Sequence, residues 1–286
     1  MKAKSFFLLI VTAEVIVGSG FYGQVQAQST GEAVDKRPKQ DIVVVAHRGL
    51  APGLPENSPH AFRHALELGV DLIEVDLRMT RDGVPVIIHD DTVDRTTNGQ
   101  GEVKTCTLAE LKKLDAGIHA GLQFAGAKIP TFEETLALVI PMGGKLVLDI
   151  KSSSDLDCKK VVRLVEQHHA VKNVIVGARS MEDVKLFRSL NPDIRILGFM
   201  AGARDTKKFV EAGADIIRLW PKWIRLFPQL IEQVHQFGKP VWVTAGPAGR
   251  EELAELIALN INGILTDQPD VLMSLLDPNR TRRPRR

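Results

Sequence analysis

The sequence predicts an α/β fold, a (β/α)8 or TIM barrel with a small insertion after the second strand. Two observations support this prediction. From residue 41 onward, short β-branched runs alternate with segments of helical periodicity. The runs are also apolar at nearly every position, which is typical of parallel strands that are buried on both faces. Eight strand–helix units in a chain of 286 residues fit a closed barrel, and a doubly wound open sheet is the alternative.

The predicted strands are short runs rich in Val, Ile and Leu. In chain order they are "DIVVVAHRG" at 41–49, "DLIEVDLRMT" at 71–80, "GKLVLDIK" at 144–151, "NVIVGA" at 173–178, "IRILGF" at 194–199, "DIIRLW" at 215–220, "PVWVTA" at 240–245 and "NGILTD" at 262–267. Helical patterns follow them, and the clearest are "SPHAFRHALELG" at 58–69, "TFEETLALVI" at 131–140, "DCKKVVRLVEQHH" at 157–169 and "WIRLFPQLIEQVHQFG" at 223–238. Their apolar residues recur three and four positions apart, which indicates helices with one buried face.

The second unit departs from this rhythm. An "RDG" turn at 81–83 and the run "VPVIIHD" at 84–90 predict a β-hairpin extension of the second strand. A glycine-containing stretch then continues to Lys128, which is too long for a simple loop between a strand and a helix. We therefore expect an inserted subdomain at about 92–130, within a barrel domain of residues 41–277.

The two ends of the chain have the composition of segments outside the fold. Residues 1–27 combine a basic start, an apolar run and small residues near position 27, which predicts a secretory signal peptide and a secreted or periplasmic protein. Glu14 within the apolar run argues against a stable membrane span. We expect residues 28–40 to form a flexible lead-in and residues 278–286 a basic disordered tail.

The charge balance excludes one class of partner. The formal net charge is only +2, and the positive excess lies at the two ends, so the barrel domain is acidic overall. This balance is not that of a nucleic-acid-binding protein.

Polar residues interrupt the apolar strands near their C-terminal ends, where barrel enzymes place their active sites. Glu74 and Asp76 lie two residues apart in one strand, so their side chains point to the same face. The other interrupting residues are His47 and Arg48 on the first strand, His89 and Asp90 on the hairpin, and Asp149 and Lys151 on the third strand. Taken singly, each has a structural explanation, such as an ion pair or a hydrogen bond to the backbone.

Taken together, these residues predict a metal site. Glu74, Asp76 and Asp149 converge on one mouth without enough adjacent cations to neutralise them, and unpaired charge is costly to bury. Carboxylate oxygens are the ligands that hard divalent ions prefer, so we expect one bound metal ion, Ca²⁺ or Mg²⁺.

The remaining residues of this mouth predict acid–base chemistry on an anion. His47 and His89 are candidates for a general acid and a general base, because imidazole titrates near neutral pH. Arg48 and Lys151 are then available to bind an anion, and a forked guanidinium suits phosphate.

A series of short motifs resembles the glycerophosphodiester phosphodiesterase family. In chain order the motifs are "AHRG" at 46–49, "PEN" at 55–57, "EVD" at 74–76, "HDDTVDRTTNGQG" at 89–101, "IPTFEE" at 129–134, "LDIK" at 148–151 and "GILTDQP" at 263–269. Each motif alone is weak. Their order over about 43–275 makes the resemblance strong.

The resemblance implies the metal-dependent cleavage of a small-molecule glycerophosphodiester into glycerol 3-phosphate and an alcohol. By similarity, the matching positions are His47 and His89 for the acid–base pair, Glu74 and Asp76 for metal ligands, and Arg48 and Lys151 for phosphate contacts. The resemblance alone adds Glu56 as a further acidic position around the metal. Whether water or the neighbouring glycerol hydroxyl attacks the phosphorus stays open.

The sequence departs from the family pattern at two places. The family usually carries Glu where this chain has Asp149, so a shorter acid must reach the metal, directly or through water. Relatives often carry a polar residue at the position of Ala245, which alters the glycerol end of the pocket. Trp220 and Trp242 are candidates for walls of the substrate pocket, and packing inside the barrel is the alternative for both.

Two other functions remain as alternatives. One is a barrel that binds glycerophosphodiesters or lipid head groups without turnover, although such a protein has no need of two histidines. The other is a sphingomyelinase-D-like lipid phosphodiesterase, which shares the barrel and the histidine pair. Cys106 and Cys158 are the two cysteines of the chain, and either a disulfide or two free thiols fits their spacing.

Overall fold

The computed structural model describes residues 41–50, 52–152, 154 and 156–277. The predicted signal peptide at 1–27, the lead-in at 28–40 and the tail at 278–286 lie outside these described residues. Over the described ranges, no helix combines the length and the apolar character needed to cross a membrane.

Eight parallel strands close into a barrel, which confirms the predicted fold. The sheet has nine strands in all, of which β3 is not part of the parallel ring. They are β1 (Val43–Ala46), β2 (Leu72–Met79), β3 (Pro85–Ile87), β4 (Leu146–Ile150), β5 (Val174–Ala178), β6 (Arg195–Gly198), β7 (Ile216–Leu219), β8 (Val241–Gly246) and β9 (Gly263–Thr266). The pairing runs β1-β9-β8-β7-β6-β5-β4-β2, and β1 pairs with β2 to close the ring. The exception is β3, which pairs antiparallel with β2 as the predicted hairpin. The alternative of an open sheet is therefore wrong.

Helices surround the barrel. They are α1 (Pro59–Leu68), α2 (Leu108–Leu111), α3 (Phe132–Val139), α4 (Cys158–Gln167), α5 (Met181–Leu190), α6 (Thr206–Ala212), α7 (Pro221–Leu226), α8 (Leu230–Gln236), α9 (Arg250–Ala258) and α10 (Pro269–Leu276). Local signals set several of their ends. The Ser58 hydroxyl caps the first turn of α1, and Gly69 ends that helix in the left-handed conformation at φ 84°. Thr131 and Glu134 form a capping box at the start of α3.

The helix predicted over 223–238 is two helices. The first, α7, ends at Leu226, and α8 begins at Leu230. Pro228 lies between them, and the residue before a proline is disfavoured in the helical conformation. Phe227 accordingly has φ −135° and ψ 74°, which is outside the helical region. The apolar periodicity on both sides of Pro228 hid this break in the sequence.

The hydrophobic core has two layers, separated by the barrel wall. The outer layer fills the space between strands and helices and contains large buried rings such as Phe62, Phe132 and Phe187. The inner layer fills the barrel and consists of Val45, Leu72, Val147, Ile175, Leu197, Phe199, Ile216, Trp242 and Leu265. This inner layer fixes which strand residues point inward, and therefore which side chains line the mouth above it.

The insertion after β3 has a small core of its own. That core consists of Val86, Ile88, Val93, Val103, Leu111 and Ile129, with Cys106 packed against it. Cys158 lies at the start of α4 and belongs to the outer barrel layer instead. Both cysteines are free thiols in the structure, so of the two alternatives the disulfide is not formed.

Candidate active site

The barrel mouth is lined by residues that lie two positions after inner-layer residues on their strands. Since side chains alternate along a strand, these residues also point inward, one level above the inner layer. They are His47 after Val45, Glu74 after Leu72, Asp149 after Val147, Arg218 after Ile216, Thr244 after Trp242 and Asp267 after Leu265. The fold thus brings residues far apart in the chain to one site.

Three predicted metal ligands meet at this mouth. One carboxylate oxygen from each of Glu74, Asp76 and Asp149 lies within 4.8 Å of the others, and all three residues are buried. Burial raises the pKa of Glu74 to about 8, and the charge of the neighbouring Asp76 adds to this effect. Asn57 donates from Nδ2 to Asp76 at 2.7 Å and orients its carboxylate. A cluster whose carboxylates repel one another fits a hard divalent cation.

Two cations hold the Asp149 side of the cluster. Lys151 Nζ lies 2.7 Å from Asp76 Oδ1 and also donates to Asp149. Arg179 Nη2 donates to both Asp149 oxygens, at 2.8 and 2.7 Å. Burial raises the pKa of Asp149, but the charges of Lys151 and Arg179 outweigh it and hold the pKa below its usual range. Sequence reasoning missed Arg179, although it directly follows β5 at the same mouth.

His47 is held by a carboxylate from the other end of the chain. It begins a single turn after β1, and its Nδ1 is 2.5 Å from Asp267 Oδ1, just after β9. Its Nε2 lies 4.0 Å from Glu74 Oε2. Burial lowers the pKa of His47, but Glu74 and Asp267 outweigh it, and the pKa is raised. Asp267 lies in the "GILTDQP" motif, yet sequence reasoning assigned it no role.

Glu56 lies outside the acidic cluster. Its carboxylate accepts hydrogen bonds from Arg48 Nη1 at 3.0 Å and from two nitrogens of Arg95 at 2.8 Å each. Arg48 occupies the left-handed region at φ 55°, and its backbone N–H donates to Glu74. Its Nε also lies 3.5 Å from Asp76 Oδ2. Glu56 therefore holds two guanidinium groups at the rim instead of joining the three acids.

His89 lies just after the β2–β3 hairpin, and Arg95 links its neighbour Asp90 to Glu56. Its Nδ1 is 2.6 Å from Asp90 Oδ1, and Asp90 also accepts from Arg95 Nε at 2.7 Å. Burial lowers the pKa of His89, and the charge of Lys151 lowers it further against the opposing hydrogen bond from Asp90. Both predicted histidines thus have Nδ1 occupied by a carboxylate, which leaves Nε2 of each ring for a substrate.

The two predicted pocket tryptophans have different surroundings. Trp242 is 3% exposed within the inner barrel layer, where Gly263 leaves room for its indole. Of the two alternatives for Trp242, packing inside the barrel is therefore the one that the structure shows. Trp220 is 37% exposed at the end of β7, and the Arg218 guanidinium lies 4.1 Å from its ring centroid.

Comparison with known proteins identifies the family of this chain. The sequence model of the Glycerophosphoryl diester phosphodiesterase family matches residues 47–271. A glycerophosphodiester phosphodiesterase of Caldanaerobacter subterraneus subsp. tengcongensis is 34% identical over 238 residues, 82% of this chain and 97% of the relative.

Solved structures show the same fold. The glycerophosphodiester phosphodiesterase of Agrobacterium tumefaciens is 30% identical, with a TM-score of 0.72 over 82% of this chain and 99% of its own. A phosphodiesterase of Oleispira antarctica, solved with its product sn-glycerol-3-phosphate, has a TM-score of 0.74 at 24% identity over 82% of this chain and 96% of its own. Its likeness supports the fold alone. With a family match that spans the barrel from His47 to the last helix, this chain belongs to the glycerophosphodiester phosphodiesterase family.

Proposed function

We propose that the protein hydrolyses small glycerophosphodiesters to glycerol 3-phosphate and an alcohol, with one bound divalent metal ion. The observation that carries this proposal is the meeting of three carboxylates with two carboxylate-held imidazoles at one barrel mouth. Family membership supports the same reaction class.

Glu74, Asp76 and Asp149 would hold the metal ion, either Ca²⁺ or Mg²⁺. Bound there, a divalent ion supplies charge stabilisation for the phosphoryl oxygens as the diester is cleaved. Burial and the charge of Asp76 raise the pKa of Glu74, and a divalent cation between the acids would instead favour its charged form. Glu56 stays outside this ligand set, since its carboxylate is occupied by Arg48 and Arg95.

Arg48 and Lys151 would bind the phosphate. Both lie beside the acidic cluster, with Arg48 on the β1 side and Lys151 on the β4 side. A phosphodiester carries one negative charge and gains more as the bond breaks, so fixed cations stabilise the transition state more than the ground state.

The two histidines would transfer the protons. The pKa of His89 is lowered, which favours a neutral imidazole able to accept the proton of the attacking oxygen. The pKa of His47 is raised, which favours an imidazolium able to protonate the leaving alkoxide. Asp90 and Asp267 keep the Nδ1 side of each ring occupied, so that Nε2 faces the reacting atoms.

Release of glycerol 3-phosphate tests this function. Purified protein is assayed with glycerophosphocholine and glycerophosphoethanolamine, before and after chelation, and after Ca²⁺ or Mg²⁺ is added back. We expect activity that is lost on chelation and restored by one of the two ions. Activity that survives thorough chelation would remove the metal from the mechanism. No turnover of any diester would favour the alternative of a barrel that binds diesters without cleaving them. Turnover of sphingomyelin alone would favour the sphingomyelinase-D-like enzyme.

Histidine variants test the acid–base roles. His47→Ala and His89→Ala should each lower kcat by about 10²- to 10⁴-fold, because general acid–base groups typically contribute this much. His64→Ala is the matched control, since His64 is exposed on α1. A near-normal rate in either mouth variant would show that its histidine is not needed.

We propose further that the protein acts outside the cytoplasm, as a secreted or periplasmic enzyme. The support is the composition of residues 1–27. N-terminal sequencing of the protein from a fractionated native host should give a mature chain that starts near Gln28. An intact N-terminus in the cytosolic fraction would contradict this location.

A further inference from the structure

Arg218 is a buried cation that has no acidic partner among the residues that the structure describes. It points inward from β7, which is the fourth strand from β2 around the eight-stranded ring, and so lies opposite the strand that carries Glu74 and Asp76. The residue is only 3% exposed, and its Nε and Nη1 make no hydrogen bond to any residue that the structure describes. Leaving a buried charge unpaired is costly, so such a group indicates a missing anion.

Two aromatic rings hold the guanidinium in place. Its Cζ lies 4.8 Å from the ring centroid of Phe199 and 4.1 Å from that of Trp220. Gly177 on β5 makes room for Phe199, because a Cβ there would lie 2.2 Å from the ring. Contacts with ring faces keep a guanidinium charged and leave its N–H donors for another partner.

Asp149 is not that partner. Its charge acts on Arg218 from a distance, but both its oxygens accept hydrogen bonds from Arg179, and one also accepts from Lys151. Burial lowers the pKa of Arg218 to about 9, so the side chain is still charged at neutral pH. Arg179 is a further cation near it, but Arg179 is already paired with Asp149, so the charge of Arg218 is left without an acidic partner among the described residues.

A second unpaired donor lies on the adjacent strand. Thr244 on β8 points inward, is 7% exposed, and its Oγ1 is buried without a hydrogen-bond partner among the described residues. Arg218 pairs in register with Trp242, two residues before Thr244, so the two side chains line neighbouring parts of the mouth. A hydroxyl beside a guanidinium is a suitable pair of donors for an oxyanion.

We propose that Arg218 and Thr244 form a second anion site, which binds an acidic group on the alcohol part of the diester. The inference rests on the proposed function. In that function the scissile phosphate occupies Arg48 and Lys151, and Arg218 is left for a different part of the substrate. The site selects glycerophosphodiesters whose alcohol carries a carboxylate or a second phosphate.

A matched pair of substrates tests this selectivity. Glycerophosphoserine and glycerophosphoethanolamine differ by one carboxylate, so the ratio of their kcat/KM values isolates the second site. We expect wild-type protein to favour the serine diester. Arg218→Gln should lower the ratio by about 10- to 100-fold, the range expected when a charge-assisted hydrogen bond is removed. Arg218→Lys should keep part of the preference.

A second pair separates the two sources of negative charge. Bis(glycerophospho)glycerol carries a second phosphodiester that glycerophosphoglycerol lacks. A preference for the former that Arg218→Gln removes would assign the site to phosphate, and a preference confined to glycerophosphoserine would assign it to carboxylate. Either result supports the second anion site.

Control variants keep the test decisive. Arg225→Gln removes one arginine charge from the neighbouring helix α7, where Arg225 pairs with Glu252 at the surface, and it should leave both ratios unchanged. If Arg218→Gln does not fold, Thr244→Val keeps the side-chain shape and should still lower the ratio. Equal turnover of both members of each pair by wild type would overturn the inference, as would a loss that Arg218→Gln spreads equally over all substrates. Absence of turnover with every diester would instead overturn the proposed function.

Discussion

At the scale of single residues, the chemistry of the mouth depends on carboxylates that hold other groups. Asp267 is a positioning residue, since it binds His47 Nδ1 and makes no approach to the acidic cluster of its own. A charged carboxylate at this position fixes the tautomer of the ring and favours the imidazolium.

Asp267→Asn should therefore lower kcat by about 10²-fold or more and change KM little, because orientation and protonation are lost but substrate contacts are kept. The charge of Asp267 helps to raise the pKa of His47, so its removal lowers that pKa. The limb of the pH–rate profile that reports His47 should move to lower pH. Asp270→Asn, at an exposed position of α10, is the control. An unshifted limb would show that Asp267 does not act through His47.

A neighbouring arginine explains why the shorter acid Asp149 fits at this position. The Arg179 guanidinium donates hydrogen bonds to both its oxygens, and an added methylene would push the carboxylate against that guanidinium. We expect Asp149→Glu to weaken activation by the metal when Arg179 is present. In the Arg179→Gln background the same substitution should weaken it less. A double-mutant cycle on the metal concentration for half-activation should give a coupling of about 0.5 to 3 kcal/mol. Additive effects would mean that Arg179 does not constrain the acid.

The site residues that could be predicted are those that lie in or next to apolar strands. Acids and histidines stand out in apolar strands, so Glu74, Asp76 and His47 could be found from the sequence. Asp267 also ends a strand, but its partner lies 220 residues away, and no local pattern encodes that pairing. Arg218 in "DIIRLW" has the same polar signal inside an apolar run, and only the fold shows that no acid in the described ranges pairs with it.

At the scale of elements, Arg95 joins the insertion to the loop that follows β1. It binds Asp90 at the end of the hairpin and Glu56 before α1, with four hydrogen bonds between 2.7 and 3.1 Å. Burial raises the pKa of Glu56, but its hydrogen bonds with Arg95 and Arg48 outweigh it and hold the pKa below its usual range. Hydrogen bonding to Arg95 also lowers the pKa of Asp90.

Arg95→Gln should destabilise the protein at pH 7 by about 1 kcal/mol, a modest value because the guanidinium is half exposed and screened. A carboxylate with a lowered pKa stabilises the fold above its unfolded pKa, and this contribution is lost as pH falls. The difference in melting temperature between variant and wild type should thus shrink below the ordinary Glu pKa of 4.5. Arg63→Gln, at an exposed position of α1, is the control. A difference that persists at low pH would argue for lost packing instead.

Element boundaries were predictable where turn chemistry is local. The hairpin after β2 and the capping box of α3 are both encoded within a few residues. The break between α7 and α8 has a local cause too, Pro228, but apolar residues continue the helical period across it. The insertion was recognisable by its length alone, because its core is assembled from residues spread over 86–129.

At the scale of the whole molecule, the clustered acids of the mouth and Arg218 lie on opposite sides of the barrel. The strands β2 and β4 carry the three clustered acids, whereas β7 carries Arg218, which is unpaired within the described part of the chain. All four side chains are buried, and charges at buried sites interact more strongly than charges in water. A metal ion beside the three acids and a substrate anion beside Arg218 would neutralise the charges that the protein itself leaves uncompensated.

The acidic side therefore makes stability depend on both pH and metal. The pKa of Glu74 in the fold is about 8, above its ordinary 4.5, so the folded state holds a proton that the unfolded state releases. Stability of the metal-free protein should fall as pH rises from 4.5 to 8, by at most about 1.4 kcal/mol per pH unit from this group.

Metal binding needs the charged form of Glu74, so added Ca²⁺ or Mg²⁺ should raise the melting temperature more at pH 8 than at pH 6. Thermal unfolding followed by circular dichroism, with and without metal at the two pH values, measures this difference directly and needs no substrate. Glu74→Gln removes the titrating proton, so it should abolish most of the metal-dependent gain and flatten the pH dependence. An equal gain at both pH values would show that the metal binds without displacing a proton from Glu74, and no gain at either would place the metal outside the three acids.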